Sequence, residues 1–586
     1  IAQLCAMNLC KSPTKYKKEK TMPYTVAICA LNAKYIHSSL APWCLLAGVE
    51  CNAENVTAYV VEGTINEPES DVLARILSHQ PHAVTLSCYL WNIAETLRLA
   101  ARMKAENPAI FIVLGGPEVS YCAAEILAEN AQIDCVLSGE GETSLPALLN
   151  ALAAGENPLD IDKNLNIDGL CTRAKISAPC VLSGDVPSPY TEAYLAQLGG
   201  RIAYLETSRG CPYTCAFCLS GRCGKPRYFS LDIAKKNILT LANSGAQTIK
   251  FIDRTFNANP RHANAILAFI LEHYGKEIPR GVCFHFELAG DILREESFDL
   301  LEQAPVGAFQ LEIGMQSFCA KTLAAIRRKT DVDVLQKNIV RLVAMQNMHI
   351  HIDLIAGLPY EDLQTFGASF NIGYALGANM LQLGFLKLLH GAAMREEPQT
   401  YPCSFAQTPP YEVTRTPWLS ADDLAVLRKT EDALERVYNS GRFLETAAYL
   451  LHATRMTPFD FYTALGEKGS ALGTHHVPLD TYTAFLYETG KTLPDVDADA
   501  LRDAMVRDRL ATNATGRLPA CLQVKDPQLL AAVRSLAQCP QTAPQKGTQR
   551  GVALLYGAHE ICYADYIAAE KSPMTGRYPL YCVKIS

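Results

Sequence analysis

Cys211, Cys215 and Cys218 stand at C-x3-C-x2-C spacing in the loop Glu206–Leu219, just after the strand-like run Arg201–Leu205. This feature restricts the fold more than any other, because it gathers three thiolates at the carboxyl end of one strand. Three thiolates can hold three irons of a 4Fe-4S cube and leave the fourth open, whereas an electron-transfer ferredoxin caps all four. An open iron suits a site that chelates and reduces a small molecule. Pro212, Tyr213 and Phe217 can shield such a cluster and tune its potential. Zinc is one alternative, with the nearby Cys223 as its fourth ligand. Buried structural cysteines are another.

The loop resembles the signature of the radical S-adenosylmethionine (SAM) enzymes, in which the open iron binds the amino and carboxylate groups of SAM. The resemblance implies an open partial barrel. Residues 201–400 read accordingly: strands Arg201–Leu205, Thr248–Asp253, Val282–Leu288, Ala308–Ile313, His349–Ile355 and Met380–Leu388 alternate with helices. Six β/α units are too few for a closed eightfold barrel. Asp253, His285, Glu287, Glu312, Gln316, Ser317 and Asp353 cluster at the strand ends, where buried carboxylates need a partner or a ligand. By the resemblance, Glu312 and Arg328 are candidates for the methionyl and ribose groups of SAM. Gly357, in Gly357-Leu-Pro-Tyr-Glu361, resembles the loop that packs near adenine. A structural ion pair is the alternative for the charged residues.

Residues 23–155 alternate strands and helices in the manner of a doubly wound parallel sheet. The strands are Thr25–Leu31, Asn55–Val61, Ala83–Cys88, Ala109–Leu114 and Cys135–Leu137. Ligands of such sheets lie at the strand carboxyl ends, which here carry Ser87, Gly115, Gly116, Gly139 and Glu140. Glycines there let backbone approach a flat ligand. No G-x-G-x-x-G follows the first strand, so a dinucleotide site is not supported. The loop order resembles the cobalamin-binding domains that precede radical SAM domains, with the Ser87 loop and the double glycine lining the nucleotide-tail pocket. The Asp-x-His-x-x-Gly motif of many such domains is missing from residues 23–150, and His37 lacks its flanking pattern. A flavodoxin-like domain without ligand is the alternative.

Residues 156–200 read as a connector, with a short hairpin over Asn166–Val181. Residues 401–586 read as a mostly helical domain behind a loop or lid over Tyr401–Thr416, with helices at Ala421–Ser440, Phe443–Thr454, Leu479–Glu488 and Asp499–Leu510. His475-His476 reads as a pair of exposed loop histidines, and Ser535–Arg550 as flexible. Residues 1–21 are polar and basic without the apolar core of a signal peptide and read as a disordered tail or an over-extended start. The weakly charged run Ser369–Leu389 splits into helix and strand rather than forming a membrane span. A net charge of −7 argues against a general nucleic-acid surface, and 21 cysteines suggest a reducing cytoplasm.

The domain order resembles a bacterial family of radical SAM proteins with a B12-binding domain and a C-terminal domain of unknown function. The resemblance implies three cofactors: a 4Fe-4S cluster, SAM and cobalamin. SAM would be cleaved reductively to a 5'-deoxyadenosyl radical that activates an unactivated carbon, with methyl transfer as the outcome. The substrate would be a small molecule or peptide, and the electron donor a flavodoxin or ferredoxin. Ring formation, as in the anaerobic porphyrin-ring cyclase, is an alternative outcome. A methylthiotransferase would need a cysteine-ligated cluster in the first domain, where the cysteines form no convincing pattern. A cobalamin- or redox-sensing protein without turnover is the reading from a different class.

Overall fold

The computed structural model describes residues 22–159, 166–473, 477–523 and 547–584, with single positions at 527, 531 and 535. The expected N-terminal tail, His475-His476 and most of Ser535–Arg550 lie outside the described residues.

Strands β1 (Tyr24–Asn32), β2 (Val56–Thr64), β3 (Ala83–Ser87), β4 (Phe111–Gly115) and β5 (Cys135–Leu137) form a parallel sheet in the order β2-β1-β3-β4-β5. Both faces are covered. Val26 and Ile28 of β1 enter the core shared with the rest of the chain, while Ala27, Cys29 and Leu31 pack with the helices Glu69–Leu77 and Ile93–Glu106. That is why β1 reads as an unbroken apolar run. The strand order reverses between β1 and β3, which opens a crevice at the carboxyl ends. Within the expected connector hairpin, Thr172 and Lys175 exchange backbone hydrogen bonds, and β6 (Leu170–Cys171) also adds antiparallel to β5, with Cys171 opposite Val136. Cys171 is fully buried there, and a hairpin standing alone would have left it in water.

The second sheet is also parallel. β7 (Ala203–Leu205) is followed by two short strands, β8 (Ser208–Arg209) and β9 (Arg227–Tyr228), that pair with each other. Then come β10 (Thr248–Phe251), β11 (Cys283–Leu288), β12 (Phe309–Gln316), β13 (His349–Ala356) and β14 (Met380–Phe385). The order β14-β13-β12-β11-β10-β7 is that of six β/α units. Period-two alternation sorts each strand. Ile350, Ile352 and Leu354 face the helices and are fully buried, while His349, His351 and Asp353 face the other way.

The C-terminal part holds the helices Ala421–Leu434, Leu444–Thr454, Pro458–Gly469, Leu479–Gly490 and Ala498–Thr512, then a three-stranded antiparallel sheet. Ser420 and Asp423 close a capping box on the first of these helices. The expected lid over Tyr401–Thr416 is a strap: Ser404–Phe405 pairs with Val413–Arg415, and Tyr411 donates to Glu118 of the first domain at 2.6 Å. The run Ser369–Leu389 contributes to the helix Leu363–Ala375 and to β14. No helix among the described residues is long and apolar enough to cross a membrane.

Candidate functional site: two adjoining cavities

The cysteine loop is held at its root by a buried carboxylate. Asp253, at the end of β10, accepts the amide of Thr207 at 3.0 Å and its hydroxyl at 2.7 Å, and the hydroxyl of Ser208 at 2.5 Å. Burial pushes the Asp253 carboxyl up to about 6 against the pull of these donors. The β8–β9 pair then closes the loop. Gly210 has φ +92°, and a Cβ there would meet the carbonyl of Gly224 at 2.7 Å, so the turn needs glycine. Further along, the Ala216 amide donates to Ile326 O and Ala216 O accepts from Met394 N, which pins the loop between two barrel helices.

Cys211, Cys215 and Cys218 line one cavity of ≈ 210 Å³, together with Arg254, Glu287, Glu312, Gln316, Arg328 and Asp353. Cys223 lines the neighbouring cavity instead. Burial raises the Cys215 thiol, and Arg328 opposes it with a guanidinium 3.9 Å from the sulfur. Arg328 also donates to Gly314 O at 2.8 Å and lies over the ring of Tyr213. Of the residues expected to contact SAM, Glu312 and Arg328 therefore share the cysteine cavity, while Gly357 does not line it. Gly357 has φ +97°, and a Cβ would strike Val413 at 2.7 Å. Its glycine serves the packing of β13 against the strap.

Glu312 lies four residues before Gln316 on β12 and is already paired. Lys250 reaches it at 3.0 Å and His285 at 2.8 Å. Burial works against its charge, but the His285 hydrogen bond and the Lys250 charge hold the carboxyl down to about 2.

The second cavity, ≈ 340 Å³, lies at the carboxyl ends of the first sheet and gathers Ser87, Gly115, Gly116, Gly139 and Glu140. Its floor is apolar, with Leu45, Leu137 and Leu145. Among the described residues no histidine lines it; His37 is turned away and bonds Tyr204 at 2.7 Å. Glu140 lines the cavity, but its carboxylate is taken by Arg209 and Arg227 and by the Leu182 amide. Burial raises its carboxyl, and these donors outweigh burial and hold it low. The sequence reading missed Arg254, which follows Asp253 at the end of β10. It is exposed and lines both cavities, as does Ser220, so the two spaces adjoin.

Three family models match in the same order: a B12 binding domain over residues 27–149, the Radical SAM superfamily over 205–371, and a protein of unknown function, DUF4080, over 399–546. A carbapenam-3-carboxylate methyltransferase from Streptantibioticus cattleyicolor, described as acting on a 2-(S-pantetheinyl) form, is 26% identical over 49% of this chain and 44% of its own length. A hopanoid C-3 methylase from Methylococcus capsulatus is 26% identical over 45% of this chain and 51% of its own. The chain spans about half the length of these curated relatives. The solved structure of OxsB, titled a cobalamin-dependent S-adenosylmethionine radical enzyme, matches in fold with TM-score 0.59 and 14% identity, over 83% of this chain and 79% of that one.

The fold and the cysteine loop define a radical SAM protein, one in which the barrel is preceded by a B12-binding domain. Behind these two domains, residues 399–546 match the model of a domain of unknown function, DUF4080.

Proposed function

We propose that the protein is a cobalamin-dependent radical SAM methyltransferase that alkylates an unactivated carbon of a small molecule. One observation carries this reading: the three-cysteine cavity and the glycine-rimmed cavity of the first sheet adjoin through Ser220 and Arg254. The residues fit the cofactors. Three thiols around one space suit three irons of a cube, and an apolar floor under glycine-rich strand ends suits a large flat ligand. When bound, the cluster with SAM supplies a hydrogen-abstracting radical, and cobalamin supplies a methyl group.

The chain's own residues provide position and charge. Cys211, Cys215 and Cys218 hold the metal centre. Arg328 and Gln316, rather than the already paired Glu312, face SAM. Ser87, Gly115 and Gly116 line the cobalamin side, and Arg209 with Glu140 and Glu142 fixes one cavity against the other. A reducing cytoplasm and a flavodoxin- or ferredoxin-type donor belong to this reading; every cysteine among the described residues is a free thiol.

The test is anaerobic reconstitution with iron, sulfide and hydroxocobalamin, then SAM and a strong reductant, on wild type and Cys215→Ala. 5'-Deoxyadenosine from wild type alone, with methylcobalamin formed from SAM, supports the methyltransferase. Deoxyadenosine without methylcobalamin would favour ring formation. A loaded cluster and cobalamin with no deoxyadenosine would favour a sensor and end the enzyme reading.

A further inference from the structure

Three antiparallel strands, Arg550–Leu555, Glu560–Asp565 and Tyr581–Lys584, make up the C-terminal sheet, with Tyr581–Lys584 at one edge. Cys562 on the central strand stands in register with Cys582 on that edge strand. Residues directly opposite in such a ladder point to the same face of the sheet, with Cα atoms about 4.5 or 5.5 Å apart. Both spacings fall within the roughly 4.4–6.8 Å that a disulfide spans. No other two cysteines among the described residues face each other across a ladder. The register is pinned on both sides of the pair. Tyr563 and Tyr581 stack with ring centroids 5.3 Å apart, and Glu560 faces Lys584. A slip by one residue would part both.

The two thiols meet different surroundings. Cys562 is fully buried, whereas Cys582 is exposed. Burial, and then the neighbouring Cys582, raises the Cys562 thiol. The guanidinium of Arg507, on the helix Ala498–Thr512, donates to the Cys582 sulfur at 3.6 Å. Glu445 shares that guanidinium at 4.0 Å, and Arg577 stands behind Glu445 at 3.4 Å. An accessible sulfur beside a guanidinium is the usual setting of a nucleophilic cysteine.

We propose that Cys562 and Cys582 form a redox-active dithiol site whose reactant is a small-molecule disulfide. Cys582 attacks one sulfur of that disulfide and forms a mixed disulfide, and its proton goes to the first leaving thiolate. Cys562 then attacks the Cys582 sulfur and gives its proton to the second leaving thiolate. One disulfide is consumed and two thiols are released, while the two cysteines together lose two electrons and two protons. The new bond staples the edge strand to the sheet and closes the loop through residues 563–581. Neither sulfur lines the two cavities described above, so the site is separate from the cofactors.

The test uses the reconstituted full-length chain, kept anaerobic and equilibrated with mixtures of oxidised and reduced glutathione, then alkylated and mapped by mass spectrometry. A Cys562–Cys582 disulfide is expected, formed and reversed by the glutathione ratio. Cys562→Ala should stop at a glutathione adduct on Cys582, and Cys582→Ala should leave Cys562 unmodified. Arg507→Gln should slow the reaction at neutral pH, with the deficit closing as pH passes the ordinary thiol value of about 8.5. Cys215→Ala should behave as wild type, which keeps the outcome independent of the radical SAM reading. The inference is overturned if wild type keeps both thiols free, or holds glutathione on Cys582 without closing the disulfide. It is also overturned if the Arg507→Gln deficit is absent or the same at every pH.

Discussion

Arg209, two residues before Cys211, places its guanidinium 2.5 Å from the carboxylate of Glu142 in the first domain. The same guanidinium reaches Glu206 at 2.9 Å and Glu140 at 3.4 Å. All four groups are largely buried, so one cation bridges three carboxylates at the seam between the two cavities, and Arg227 adds a second cation at Glu140. Burial raises the Glu206 carboxyl even so; burial also works against the Arg209 charge, but Glu206 and Glu142 outweigh it and push the guanidinium up.

Removing that cation strands the carboxylates. Arg209→Ala should cost about 3–5 kcal/mol, the usual loss when one member of a buried ion network is deleted. The damage should concentrate at the domain seam. Limited proteolysis around residues 156–200 should accelerate, and copurified cobalamin should fall. Arg209→Lys should recover part of the stability, since it keeps the charge but not the fork that reaches all three acids.

The three glycines at the cobalamin side separate in a second test. A Cβ on Gly115 would meet Leu137 O at 3.4 Å, an ordinary contact. Gly116, at φ +105°, would drive a Cβ to 2.5 Å from Cys88 O, and Gly139, at φ +90°, would drive one into the Cys180 carbonyl. Gly115→Ala should therefore cost under about 1 kcal/mol, and the other two about 2–4 kcal/mol. Urea unfolding monitored in the far-ultraviolet separates them, because the ranking survives any common baseline effect.

The same glycines show what a sequence can disclose. The parallel sheets were legible because β1, β3 and β4 are continuous apolar runs separated by amphipathic helices. The three cysteines were legible because their spacing carries the chemistry by itself. Gly116 and Gly139 were legible as special positions but not in their role: chain meets chain there, at Cys88 and Cys180, and that contact joins residues far apart in sequence. The ion pairs of Glu140 were hidden for a related reason. Its partners Arg209 and Arg227 lie 69 and 87 residues away. The close approach of Gly357 to Val413 on the strap likewise joins residues far apart in sequence. Arg254 went unnoticed because nothing local distinguishes it; its position between two cavities exists only in the fold.

The anchor at Asp253 gives a third test. Asp253→Asn keeps one acceptor, for the Thr207 N–H, but turns its NH2 toward the Thr207 and Ser208 hydroxyls, whose buried protons lose their acceptor. A buried unpaired donor costs about 1–3 kcal/mol. The root of the cysteine loop should loosen, and iron and sulfide per chain after reconstitution should fall well below wild type. A cluster content equal to wild type would show that the β8–β9 pairing holds the loop without Asp253.

Glu361 behaves differently, and pH isolates it. The residue is fully buried; Ser317 and Ser369 both donate to Oε1, at 2.6 and 3.1 Å, and Oε2 has no partner. Burial pushes the carboxyl up to about 7, although the two hydroxyls favour the charged form. In the unfolded chain the group titrates near the ordinary value of about 4.3. Between the two values the folded protein binds a proton that the unfolded chain does not, so stability falls as pH rises through that window. The full penalty, roughly 3 kcal/mol, is present above about pH 7 and vanishes below about pH 4. Glu361→Gln cannot ionise and escapes the penalty. Its melting temperature should match wild type near pH 4 and exceed it near pH 8, with the gap opening progressively between. A gap that stays constant with pH would mean that Glu361 is charged throughout and that an unseen donor reaches Oε2. Because Ser317 follows Gln316 at the cavity wall, the same titration should shift the pH dependence of SAM binding in wild type and leave it flat in the glutamine variant.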